Sequence, residues 1–259
     1  MQSEFSHASQ TRLKKLARLT DSKARREEGI FLAEGAKVVE ELLSSDWQTE
    51  AILVLPEKTK YWEYLLEKAD SNISVYSITG SQWKKISQDK EPEGIMAVVQ
   101  IRPEPDLTSC LSTSPENTLI LHEINNPGNI GALMRSAYWF GFNNIILSTN
   151  SADYTNPKVV RASMGSLFHL TIVSNVNLLA ALPQIKKTRR LVGSDVREGV
   201  PPHPLPQKTA LLLGSESHGL TEQLLKIADE RWSIPGNSQA DSLSLPQAAA
   251  VMMYECVKK

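Results

Sequence analysis

Three stretches of this 259-residue chain carry residue types able to do chemistry, and each directly follows an apolar run that reads as a strand. The first is His122-Glu123-Ile124-Asn125-Asn126-Pro127-Gly128-Asn129, continuing to Arg135. Asn126-Pro127-Gly128 is a turn signal, and a helix is expected to begin there. A helix N-terminus with Asn129 and Arg135 nearby suits a phosphate. The second, Gly214-Ser215-Glu216-Ser217-His218-Gly219-Leu220, sets a carboxylate between two glycines, which lets backbone approach a ligand closely. The third runs from Ile234-Pro235-Gly236 to Ser242-Leu243-Ser244-Leu245-Pro246, polar and turn-rich until Pro246 opens a helix. Spacing alone also admits plainer readings: a capped strand-turn-helix, a glycine-rich connection with His218 merely exposed, and an N-cap loop. None of the loops is a dinucleotide-binding G-x-G-x-x-G or a P-loop.

The surrounding elements would put all three loops on one edge of a sheet. Strands are expected at 119–121, 144–147, 171–173, 191–193, 210–213 and 232–234, with helices between them and a last helix over 245–257. The continuous apolar run Ala210-Leu211-Leu212-Leu213 fits a parallel sheet covered on both faces. Ligands bind such sheets at the carboxyl ends of the strands. The first half is a smaller α/β unit. Helices are expected at 9–19, 35–43 and 61–69, strands at 51–55, 73–76 and 95–99, and Ser81 caps a further short helix. A stretch rich in Pro, Ser and Thr between them reads as a linker. The domains are therefore 1–103, a linker at 104–116, and 117–259.

Composition narrows the class. Hydrophobic residues at 41% are enough for a real core. No apolar run is long enough for a transmembrane helix, and the first residues lack a basic-then-apolar leader, so no membrane partner is expected. Two distant cysteines, Cys110 and Cys256, exclude a disulfide framework and a cysteine-rich zinc site, no metal is expected, and the setting reads as cytoplasmic. Net charge is only −1, yet residues 1–26 carry a balance of +5. Arg12, Lys14, Lys15, Arg18, Arg25 and Arg26 are the candidate nucleic-acid contacts there, able to neutralise phosphates. A solvated helix face is the competing explanation of the same charges. On this reading, removing residues 1–26 would flatten the salt dependence of nucleic-acid binding.

Taken in this order, the three loops resemble the SpoU branch of the SPOUT methyltransferase superfamily. Asn126 to Arg135, with the following Phe140-Gly141, is similar to its first motif. Gly214-Ser215-Glu216 with Gly219-Leu220 is similar to its second, and Ile234-Pro235 with Ser242-Leu243 to its third. Pro157-Lys158-Val159-Val160-Arg161-Ala162-Ser163-Met164-Gly165-Ser166 matches a further family segment. Arg25 and Gly29-Ile30-Phe31-Leu32-Ala33-Glu34-Gly35 resemble the start of the family's ribosomal-protein-like substrate-binding domain. The resemblance implies a parallel α/β catalytic domain with a C-terminal trefoil knot, a homodimer with the active site near its interface, and S-adenosylmethionine as cofactor. It implies transfer of a methyl group to a ribose 2′-hydroxyl of RNA, with ribosomal RNA favoured over transfer RNA. By position, Gly214, Ile234, Ser242, Leu243 and Leu245 would contact the cofactor, and Asn129, Arg135 and Glu216 would form the reaction site.

This chain departs from the family pattern at four places: Asn126 stands where Asp is usual, Ser238 where Gly is common, and Ser244 and Pro246 where the third motif usually has Asn and Ser. These departures keep open a catalytically degenerate RNA-binding protein of the same fold. An unrelated α/β enzyme using His122 or His218 as base is the remaining alternative.

Overall fold

The computed structural model describes residues 5–113, 117–206, 208–237 and 243–258. They form two compact units: Met1–Pro103 with Asp153–Phe168, and Glu104–Ala152 with His169–Lys259.

The first unit contains β1 (Ser6–His7), α1 (Gln10–Ala17), α2 (Ser22–Glu28), β2 (Ile30–Glu34), α3 (Ala36–Leu43), β3 (Thr49–Val54), α4 (Glu63–Leu66), β4 (Ser74–Ser77), α5 (Gly80–Ile86) and β5 (Ile95–Gln100). Its five-stranded mixed sheet has the order β1-β4-β3-β5-β2. Alternate strand residues Ile30 and Leu32, Ala51 and Leu53, Met96 and Val98 share one face. They pack with Leu13, Leu16 and Leu19 from α1 and the turn after it, and with Trp83 and Ile86 from α5. The helix expected at 61–69 shrinks to Glu63–Leu66, because Trp62 is buried and donates its Nε1–H to the Glu93 carbonyl while Tyr61 lies exposed. Thr79, not Ser81, caps α5, exchanging hydrogen bonds with Gln82 in a capping box.

The second unit contains α6 (Leu107–Thr113), β6 (Thr118–Leu121), α7 (Pro127–Trp139) and β7 (Asn144–Ser148). After the excursion carrying α8 (Pro157–Ala162), it continues with β8 (Thr171–Val176), α9 (Leu178–Ile185), β9 (Arg190–Ser194), β10 (Thr209–Leu213), α10 (Glu222–Ile227), β11 (Glu230–Trp232) and α11 (Leu245–Val257). The six strands are all parallel, in the order β11-β9-β10-β6-β7-β8. Leu178, Leu182 and Ile185 of α9 and Leu224 and Leu225 of α10 bury one face, while α11 packs against α7 and β10.

Three expectations change here. Within the expected linker, Leu107–Thr113 forms a helix. Asp106 caps α6 by accepting from the Ser109 amide and hydroxyl, and Leu111 joins the core of the second unit. The last strand is Glu230–Trp232 rather than 232–234, in register with Val192–Ser194 of β9, so Ile234 lies in the loop beyond it. The segment Asp153–Phe168, expected inside a continuous 117–259 domain, packs with the first unit instead. Phe168 stacks on Phe31 with ring centroids 6.5 Å apart and meets Trp47 edge-on at 5.6 Å.

Arg25 explains much of this and corrects an assignment. It is 1% exposed, so its guanidinium does not face an RNA. Its Nε donates to Thr155 Oγ1 at 2.9 Å, Nη2 to Asp153 Oδ2 at 2.7 Å, and Nη1 to the carbonyls of Leu19 and Thr20. Burial would push the Asp153 carboxyl up, but hydrogen bonds from Thr155 and Arg25 hold it below its ordinary range. Because Leu13, Leu16, Leu19 and Arg25 all belong to the packed interior, deleting residues 1–26 would dismantle the first unit. That truncation is no clean probe of RNA contacts.

Candidate active site

Because every strand of the second sheet runs the same way, the segments after β6, β10 and β11 leave from one edge of it. At the first, the His122 amide donates to the Leu213 carbonyl at 2.8 Å, tying the exit of β6 to the exit of β10. Asn126 then caps α7, its Oδ1 accepting from the amides of Gly128 at 2.9 Å and Asn129 at 3.4 Å, with Pro127 in the first turn. An amide oxygen does this as an aspartate would, so the cap survives the substitution. The buried side of α7 is Ile130, Gly131, Leu133, Met134 and Ala137, which leaves Arg135 exposed. Arg135 forms no ion pair or hydrogen bond among the described residues.

The second segment is a tight loop. The Gly219 amide donates to the Ser215 carbonyl at 2.8 Å, and Gly219 takes φ +67°. A Cβ on Gly214 would overlap the Gly219 carbonyl and the Leu220 nitrogen, so only glycine fits there. The loop holds Glu216 outward, and its Oε1 accepts a hydrogen bond from Asn129 Nδ2, joining residues 87 apart in sequence. His218 is exposed. The third segment is described at both ends. Ile234 and Leu245 are half-buried, Leu243 is 49% exposed, and Ser244 occupies the N-cap of α11 without a side-chain cap hydrogen bond. Ser238 and Ser242 lie outside the described residues. Pro246 sits in the first turn of α11, where its missing N–H costs nothing.

Two neighbours escaped sequence reasoning as a pair. Glu123 holds φ +54°, unusual for a residue with a Cβ, and its amide donates to Ser148 Oγ at 2.8 Å. His122 lies beside it, with Nε2 3.9 Å from a Glu123 carboxylate oxygen. Burial pushes the His122 imidazolium toward the neutral form, and its buried Nδ1 has no partner among the described residues. No residue pattern announces a positive φ at a glutamate, so nothing in the sequence marks this position.

The second unit therefore brings the Asn129–Glu216 pair, an Arg135 guanidinium unpaired among the described residues and the glycine loop at 214–219 to the edge of a parallel sheet of the α/β class. The SpoU rRNA Methylase family model matches residues 116–254, and the chain belongs to that family. A second model, the MRM3-like substrate binding domain, matches residues 10–97. The chain is 28% identical over 254 residues to the 23S rRNA (guanosine(2553)-2′-O)-methyltransferase RlmP of Bacillus subtilis, spanning 97% of this chain and 98% of that one. It is 31% identical over 180 residues to a 23S rRNA (uridine(2479)-2′-O)-methyltransferase of Streptomyces viridochromogenes, covering 66% and 62% of the two. Among solved structures it superposes on the SpoU methyltransferase AviRb of Streptomyces viridochromogenes in complex with AdoMet, with a TM-score of 0.83, 26% identity and coverage of 95% and 97%.

Proposed function

We propose that this protein methylates the 2′-hydroxyl of a ribose in ribosomal RNA, with Asn129, Arg135 and Glu216 as its reaction site. It is an RNA ribose 2′-O-methyltransferase that uses S-adenosylmethionine. The observation that carries the residue assignment is the Asn129–Glu216 hydrogen bond, which ties the first loop to the second.

The residues present fit the cofactor. Gly214 lets the loop close tightly on the Gly219–Leu220 backbone where a side chain would intrude, and Ile234 and Leu245 offer half-buried apolar surface. Gly214, Ile234, Leu243 and Leu245, with Ser242, would hold it. When bound, S-adenosylmethionine supplies an electrophilic methyl group.

The chain's own residues must orient a ribose oxygen and ease the loss of its proton. Glu216 only accepts hydrogen bonds, so Asn129 turns its NH2 toward it. That leaves Asn129 Oδ1 free to accept from the 2′-hydroxyl. Arg135 offers a fork of N–H donors and no acceptor, and serves as a clamp on phosphate and developing alkoxide rather than as a base. Holding the oxygen in line supplies several kcal/mol of the barrier. Glu216→Gln permits the Asn129 amide to flip. We expect single-turnover methylation of unmodified 23S rRNA to slow about tenfold, the effect of roughly one charge-assisted hydrogen bond, with cofactor affinity by calorimetry held within about twofold. Unchanged turnover would remove Glu216 from the site.

The homodimer, the knot and a cytoplasmic setting belong to the same proposal. Tyr138 and Trp139 on α7 and Val251, Tyr254 and Val257 on α11 are exposed, Trp139 by 83%, and the two helices pack together. An apolar patch of that kind fits a second copy of the chain, and it begins one turn from Arg135. The chain end packs inward, the Leu205 amide donating to the Cys256 carbonyl at 3.1 Å, which is compatible with a threaded C-terminus. A ribosomal RNA substrate and the bacterial 23S rRNA relatives support the cytoplasmic reading.

Ser244 offers one short donor where the family's third motif usually has an amide. A net hydrogen bond is worth only about 0.5–1.5 kcal/mol, so Ser244→Asn should change the single-turnover rate by no more than about tenfold in either direction. A dead wild type revived by Ser244→Asn would establish the degenerate binding protein instead.

A further inference from the structure

The basic segment at the N-terminus was expected to supply the RNA contacts, but most of its cations are already engaged. Arg12 pairs with Glu50 at 2.6 Å and lies over the Tyr76 ring. Lys15 pairs with Glu28 at 2.8 Å, Arg18 and Lys23 with Glu27 at 3.7 and 3.8 Å, and Arg25 is buried on Asp153. On α1 that leaves Lys14, which is exposed and ion-pairs with none of the described residues.

The fold places a second source of charge beside it. α5 packs against α1 and against the turn at Arg18–Thr20, and both helices bury their apolar sides in one core: Leu13 and Leu16 from α1, Trp83 and Ile86 from α5. Their polar sides therefore point outward from the same layer. The outward residues of α5 include Lys84 and Lys85, both exposed and without an ion-pair partner among the described residues. Neither α1 nor α5 contains an acidic residue. The nearby acids are occupied: Glu27, Glu28 and Glu50 as above, and Asp89, just beyond α5, on Arg161. Asp21 caps α2, accepting from the Ala24 amide.

We infer that Lys14, Lys84 and Lys85 together form the phosphate-binding surface of the first unit, laid across α1 and α5 and addressed to the backbone of the RNA substrate. The inference deepens the RNA-methyltransferase reading and rests on it. Free ammonium groups, unlike paired ones, displace counterions from a nucleic acid without first giving up a protein partner, so they should dominate the salt dependence of binding. A cation in the last turn of a helix also complements the helix dipole, and that role predicts an effect on stability alone.

The two roles separate in one experiment. Binding of unmodified 23S rRNA is measured between about 50 and 200 mM KCl for the wild type, for the combined Lys14→Ala, Lys84→Ala, Lys85→Ala variant, for the three Lys→Arg changes together, and for Lys60→Ala in the turn before α4. The three alanines should lower the slope of log K against log salt by about 2 to 3, at roughly 0.7–0.9 for each lost phosphate contact. The apparent Kd should rise about tenfold or more, with affinity for S-adenosylmethionine unchanged. The three arginines should keep the wild-type slope, and Lys60→Ala should leave it unaltered. A triple-alanine slope equal to that of a wild type that still methylates the RNA would overturn this surface and leave the activity standing. So would a loss of melting temperature without a change in slope, or a Lys60→Ala effect as large as the triple. A wild type that neither binds nor methylates ribosomal RNA would overturn both.

Discussion

Replacing Arg135 by alanine is expected to lower the single-turnover rate of RNA methylation by about 10²–10³-fold while cofactor affinity stays within a few-fold. That magnitude is typical for removing one group that stabilises a developing oxyanion in a preorganised site. The structure supports a selective effect. Arg135 is exposed on α7, forms no ion pair or hydrogen bond among the described residues, and contributes nothing to the buried face of its helix. Its removal should therefore leave the melting transition within about 0.5 kcal/mol of wild type, as for surface changes generally. Single-turnover assays at saturating cofactor, with calorimetry for S-adenosylmethionine, separate the two quantities. Near-normal turnover would make Arg135 an ordinary surface residue and would move the oxyanion clamp to another side chain.

Gly214→Ala should act at the opposite end of the problem. The added Cβ would overlap the Gly219 carbonyl and the Leu220 nitrogen, which are backbone and have no rotamer to change. The loop must move, at a cost of about 1–3 kcal/mol or more for overpacking, and the surface offered to the cofactor moves with it. We expect affinity for S-adenosylmethionine to fall at least tenfold, a loss of about 1.4 kcal/mol, with methylation falling in parallel. Gly219→Ala is the informative comparison. Its φ is +67°, yet nothing lies within 4 Å of the added carbon. It should cost only the strain of a left-handed residue, about 1–2 kcal/mol, and bind cofactor better than Gly214→Ala does. If the two variants behave alike, the close approach at Gly214 is not what shapes the loop.

Local signals carried a large part of this protein. Apolar runs bounded by turns announced the strands of the second sheet, and the helix at Leu245–Val257 was legible to the residue, since Pro246 marks its start and an unbroken apolar stretch its length. The order of three short loops was enough to reveal the family resemblance. What the sequence could not reveal depends on partners far along the chain. That Arg25 is a buried anchor and not an RNA contact follows from Asp153, 128 residues away, and a charged residue in a basic run looks the same in either role. That α6 is a helix follows from an Asp106 cap and a burial site for Leu111, which outweigh the poor helix propensity of its Ser and Thr residues. The same holds for the excursion Asp153–Phe168. Its apolar residues fit either unit by pattern, and the rings of Phe31 and Trp47 decide which one receives Phe168. The Asn129–Glu216 bond belongs to this second kind of fact. Each residue could be named from its loop, but the parallel register of β6 and β10 is what brings their exits together.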